Sequence, residues 1–161
     1  MNEPIRVKPH HVVDIITSFG TGRRRFEPHP YGHAVHSVAA AVAADPDVML
    51  QMELGADDIC APCSHNIDGV CDDTIDTSYR PTAPSLKREW NLRLDRRWCT
   101  ALGLREGDRL TARRFCELLR DGPQDLTDIY REIPADRTAD RAANLQKGVA
   151  AFLTGQVRLE A

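Results

Sequence analysis

The chain has 161 residues and a mass of 18.0 kDa, the size of one ordinary domain with room for one core. Hydrophobic residues at 42% and charged residues at 28% exclude a collagen-like or wholly disordered chain. A formal net charge of -3 leaves no global cationic field for holding nucleic acid or an anionic membrane.

Ile5 to Val7 alternates apolar and polar residues and predicts a short edge strand. Pro9 suits the first turn of a helix, where its missing N–H costs nothing. Val12, Val13, Ile15, Ile16 and Phe19 give that helix a broad apolar face, which Gly20 closes. Gly20-Thr-Gly-Arg-Arg-Arg25 is a glycine-spaced basic loop, and Phe26 to Gly32, with two prolines, is an ordered turn. His33 to Ala44 predicts an alanine-rich helix ended by Asp45-Pro46. Val48, Leu50, Met52 and Leu54 alternate with Met49, Gln51 and Glu53 as a half-buried strand. Gly55 to Thr74 has no periodicity. After the proline-broken stretch Tyr79 to Pro84, a helix is predicted from about Ser85 to Leu102, stopped by Gly103. Thr111 caps a short helix with Phe115, Leu118 and Leu119 inward, and two more helices are predicted at Gln124 to Ile133 and Thr138 to Leu153. Together these elements make an α+β fold: a mostly helical single domain over residues 1–161 with one or two short strand pairs and a cysteine-rich loop.

The longest nearly apolar run, Val38 to Ala44, is far short of the roughly 20 residues a membrane span needs. Met1-Asn2-Glu3-Pro4 lacks the basic start and apolar stretch of a secretory signal. The expectation is a cytoplasmic protein with no membrane partner. Basic pairs such as Arg96-Arg97 and Arg113-Arg114 are interleaved with acids, so no nucleic-acid partner is expected either.

Five cysteines, Cys60, Cys63, Cys71, Cys99 and Cys116, are an odd count, which argues against a disulfide framework in a reducing compartment. Cys60-Ala-Pro-Cys63 is followed after seven residues by Cys71, and Gly69 lets the chain fold back so that Cys71 joins the pair. Three thiolates from one loop point to a soft metal centre. A zinc ion needs four ligands and could recruit His65 or Cys99, but His65 stands only two residues beyond Cys63. A cubane is larger, and three sulfurs on one loop suit three of its irons, so a 4Fe-4S cluster is the expected cofactor and zinc the alternative. Cys116, beside Phe115 and Leu119, reads as core. Asp57, Asp58, Asp72 and Asp73 flank the loop and can bond its backbone N–H groups.

The chain resembles a family of small bacterial and archaeal proteins classed as a domain of unknown function and held to bind an iron–sulfur cluster. The resemblance is carried by Arg6 to Val13 with its tandem His10-His11, by Gly20-Thr-Gly22, by Asp57 to Cys63 with Cys71, and by Leu94-Asp95 with Leu102-Gly-Leu104. It covers roughly residues 5–120 and makes residues 121–161 a C-terminal helical extension. In that family a cysteine follows the His-His-aliphatic-aliphatic stretch, where this chain has Asp14. The resemblance therefore implies a fourth cluster position filled by Asp14, by Cys99, or left open. An oxygen-ligated or open iron is a Lewis acid for lyase or desulfidase chemistry, whereas full thiolate ligation suits redox or sensory roles. Asp14 or an open site is preferred, because loss of the sulfur coincides with gain of nearby polar groups.

Five of the six histidines fall in the first 36 residues. His10, His11, His33 and His36 are candidate proton-transfer groups beside the metal loop, and His29, His33 and His36 have helical ligand spacing without a closed coordination shell. Arg23, Arg24 and Arg25 follow a Gly-x-Gly turn and form either a clamp for an anionic substrate or a solvated surface. Tyr31 is a candidate hydrogen-bond donor beside them. The function expected from these residues is a cluster-binding enzyme of lyase or desulfidase type acting on a small, anionic molecule. The rivals are a redox or sensory iron–sulfur module without catalysis and a zinc-stabilised structural domain.

Overall fold

Strand alternation places Val7, Leu50, Met52 and Leu110 on the buried face of a small sheet, with Arg6, Met49 and Arg109 outside. In the computed structural model, which describes residues 2–160, this sheet has the order β1 (Ile5–Val7), β2 (Met49–Met52), β5 (Arg109–Thr111). Strand β1 runs parallel to β2 with Ile5 opposite Leu50, and β2 runs antiparallel to β5 with Leu50 opposite Leu110. Helices α1 (Pro9–Gly20), α2 (Val35–Ala44), α3 (Lys87–Leu102), α4 (Ala112–Asp121) and α5 (Ala135–Leu153) complete an α+β single domain. No helix among the described residues is long and apolar enough to cross a membrane.

Helix α1 is the central element. Its apolar stripe, Val12, Val13, Ile15, Ile16 and Phe19, is buried as expected. One side meets α5 so closely that only glycine fits: a Cβ on Gly20 would stand 1.7 Å from the Asn144 carbonyl oxygen, and one on Gly148 would stand 1.9 Å from that of Ile16. The segment that the family resemblance leaves outside thus supplies core residues Leu145, Val149 and Phe152. The other side meets α3, where the buried Asp95 accepts the His10 backbone N–H at 2.8 Å and its Nδ1 at 2.9 Å.

Several elements depart from the sequence reading. Residues 124–133 form successive turns rather than a helix. Arg97 Nη1 donates to the Ile129 carbonyl at 2.9 Å, and the Ile133 N–H goes instead to Tyr130 O. Leu126, Ile129 and Tyr130 still reach the core. Strand β5 is an addition, three residues long. Helix α2 starts at Val35 and α5 at Ala135. Within the cysteine loop, β3 (Asn66–Ile67) and β4 (Val70–Cys71) form a hairpin turned by Asp68 and Gly69, at φ 50° and 86°. Asp-Gly is the common pair for a two-residue turn with both φ positive. Thr111 caps α4 as expected, its hydroxyl accepting the Arg114 N–H at 3.0 Å.

Candidate metal centre

The site forms where the cysteine loop crosses the start of α1. Arg6 and Asp58 bond mutually: the Arg6 N–H donates to Asp58 Oδ2 at 2.8 Å, and the Asp58 N–H to Arg6 O at 3.0 Å. That docking pushes the neighbouring Asp57 inward, where its carboxylate is buried. Asp57 Oδ2 accepts the Lys8 N–H at 2.7 Å and the His11 Nδ1–H at 2.7 Å, while Oδ1 accepts the Cys60 N–H at 3.0 Å. Burial alone raises a carboxyl pKa, but the hydrogen bonds from His11 and from the Lys8 and Cys60 N–H groups outweigh it and hold Asp57 below the usual carboxylate range.

His11 responds in the opposite sense. Burial and the neighbouring His10 lower its pKa, so its imidazole is neutral near pH 7. With Nδ1 spent on Asp57, Nε2 is the atom left for a metal or a proton, the arrangement by which carboxylates orient metal-binding histidines. Cys60 has its thiol pushed up to about 11, by burial first and then by Asp57.

Cys60, Cys63 and Cys71 all line one cavity of about 410 Å³, together with Lys8, His11 and His33. A turn closed by the Cys63 N–H on Cys60 O at 2.9 Å sets the first two, and the hairpin register sets Cys71 opposite Asn66. Residues 31–34 brace this loop: the Ser64 N–H donates to Tyr31 O at 2.7 Å and the Ala34 N–H to Ile59 O at 3.0 Å. His33 stacks on His29 with ring centroids 4.2 Å apart, and its buried Nδ1 has no hydrogen-bond partner. Burial, then His29, lowers its pKa. The first turn of α3 adds Lys87 and Arg88 to the wall.

Among the described residues, one set of three ligand-type atoms lies within 4.8 Å of one another, and it comprises His11, Asp57 and Cys60. Asp57 has both its oxygens committed to hydrogen bonds. It is therefore the group that orients His11 rather than a ready ligand.

Other sequence candidates are not brought to this cavity. Asp14 does not line this cavity; it is paired with Arg141 at 2.9 Å in a neighbouring cleft that it shares with His10 and His11. Cys99 is buried in the last turns of α3, its thiol pushed up to about 11 by burial and then Asp95. His10 is sealed against Asp95. His36 has a buried Nδ1 without a partner but does not line the cavity. The three arginines are spent locally: Arg23 lies over the Phe26 ring at 4.1 Å, Arg24 donates to Phe19 O at 2.8 Å, and Arg25 pairs with Glu27 at 2.6 Å. Tyr31 is exposed, edge-on to His65, which itself turns to Asp72 at 2.8 Å. Cys116 is core, as expected, with its thiol pushed up to about 12 by burial.

Sequence reading missed Lys8 and the His11–Asp57 pair. The pair is 46 residues apart in the chain, and no local spacing announces it. No protein-family model matches the chain, and neither does any curated protein or solved structure.

Proposed function

We propose that this protein binds a 4Fe-4S cluster through Cys60, Cys63 and Cys71, and that it is a small-molecule enzyme of lyase or desulfidase type. The observation that carries the reading is the convergence of three thiols from one loop on one cavity, beside a neutral imidazole fixed by a buried carboxylate. Around a single zinc ion, sulfurs at about 2.3 Å in a tetrahedron lie about 3.8 Å from one another. The three cysteines do not form such a compact set among the described residues, and a cubane accepts wider corners. Neither Asp14 nor Cys99 lines the cavity, so the fourth position goes to solvent or substrate.

The cluster would supply an open iron as Lewis acid. The chain supplies the rest. Three thiols must lose protons to become ligands, so loading releases acid. His11 Nε2, neutral and held by Asp57, and His33, stacked on His29, are positioned to accept or return a proton near neutral pH.

A second reading rests on the compact His11, Asp57 and Cys60 set, which could hold a single zinc ion with one further donor once Asp57 gives up its hydrogen bond to His11. A thiol-nucleophile reading fits less well. Asp57, not His11, bonds the Cys60 backbone and raises its thiol, the reverse of the order an activated cysteine needs. Anaerobic purification with an absorption spectrum and assays of iron, zinc and acid-labile sulfide separates them. A brown protein with near-equal iron and sulfide supports the cluster; a colourless protein with stoichiometric zinc replaces it with the single-ion site.

A further inference from the structure

Lys8 is the N-cap residue of α1, fixed by its own backbone. Its N–H donates to Asp57, and its carbonyl accepts the N–H groups of His11 and Val12 at 3.0 and 3.3 Å. The residue is only 4% exposed and lines the cysteine cavity. Among the described residues its ammonium makes no ion pair and no hydrogen bond. An ammonium with no ion pair or hydrogen bond at the wall of a cavity is available to a counter-charge that enters it.

The surroundings are biased the same way. Lys87 and Arg88 enter the cavity wall from the N-terminus of the sixteen-residue helix α3, whose own dipole is positive at that end. No side chain caps that end, since the N-cap residue is Leu86. Glu89, in the same helical turn, is the acid that lines the cavity; of the acids beside it, Asp73 is paired with Lys87 at 3.4 Å and Asp57 is committed to three hydrogen bonds.

We infer that the cysteine cavity is built to take a small organic anion, a carboxylate or a phosphate monoester, whose charge is met by Lys8 with Lys87 and Arg88 at the rim. This names the substrate class of the site proposed above and rests on reading that cavity as the reaction chamber. It moves the anion clamp from Arg23–Arg25, which are spent elsewhere, to the start of α1.

The test is calorimetric titration of malonate and, separately, of inorganic phosphate. The samples are the anaerobically purified protein, its Lys8→Gln, Lys8→Met and Lys8→Arg variants, and wild type stripped of metal by chelation. Each is checked by circular dichroism and assayed for iron. At least one anion should saturate a single site in wild type. Lys8→Gln or Lys8→Met should weaken it about tenfold or more, and Lys8→Arg should retain most of the affinity. Malonate alone would mark a carboxylate substrate, and phosphate alone a phosphate ester. Absence of saturable binding in wild type, or equal affinity in folded Lys8→Met, overturns the inference. Iron loss from Lys8→Gln with no anion binding by wild type also overturns it, and assigns Lys8 to balancing the thiolates. An iron-free protein that still binds the anion through Lys8 keeps the anion site and removes the iron–sulfur reading instead.

Discussion

His10 and His11 are consecutive, their ring centroids stand 4.3 Å apart, and each is hydrogen-bonded through Nδ1 to a buried aspartate. Their environments nevertheless diverge. His10 turns into the α1–α3 interface, where Asp95 outweighs burial and raises its pKa. His11 turns to the cavity, where burial and His10 itself lower its pKa. On a helix, neighbours are separated by about 100°, so a single step around α1 exchanges an interhelical tie for a site group. The comparison teaches that a carboxylate–histidine pair is not a function by itself; what the second ring nitrogen faces decides.

The largest test of that contrast is structural. Replacing Asp95 with Ala strips the buried His10 of its partner and should cost about 3–5 kcal/mol in denaturant unfolding, with metal content per folded molecule unchanged. Asp57→Asn acts on the other pair. Its single amide oxygen can serve Lys8 and His11 or the Cys60 N–H but not both, so the turn that sets the Cys60 ligand loses its charged anchor, and metal affinity should fall about 10- to 100-fold, measured by competition with a chelator. If Asp95→Ala and Asp57→Asn exchanged these phenotypes, the assignment of the two histidines would be reversed.

The smallest effect is in the pH profile. His10, with a raised folded pKa, contributes stability that is fully present below the unfolded histidine value and fades as pH rises through the folded value. His11, with a lowered folded pKa, contributes stability present above the unfolded value and lost as pH falls through the folded one. His10→Gln should therefore remove a gain of stability on acidification from above the ordinary histidine range down into it, and His11→Gln should flatten the loss of stability below that range. Parallel unfolding curves of both variants on either side of that range would remove the distinction.

Much of the scaffold was legible in the chain because short-range rules govern it. The apolar stripe of α1, the alternation of Leu50 and Met52, and the Thr111 cap each depend on neighbours within a turn or two. Residues 124–133 carried a helical spacing that Arg97, on another helix, diverted by taking the Ile129 carbonyl. The Asp68-Gly69 turn was written in the sequence, yet its strands are two residues each, too short to show a period. The site divides the same way. Crowded cysteines announced themselves, whereas Asp57–His11 and the buried Lys8 depend on how the loop docks onto β1 and α1, which no local pattern encodes.

The most direct measurement of the central claim compares iron and acid-labile sulfide in the anaerobically purified wild type with Cys71→Ser and Cys99→Ser. The account predicts a brown wild type, a Cys71→Ser variant that has lost most iron and sulfide, and a Cys99→Ser variant loaded like wild type. Loss of the cluster from Cys99→Ser with retention in Cys71→Ser, or a wild type that carries zinc and no sulfide, would contradict it.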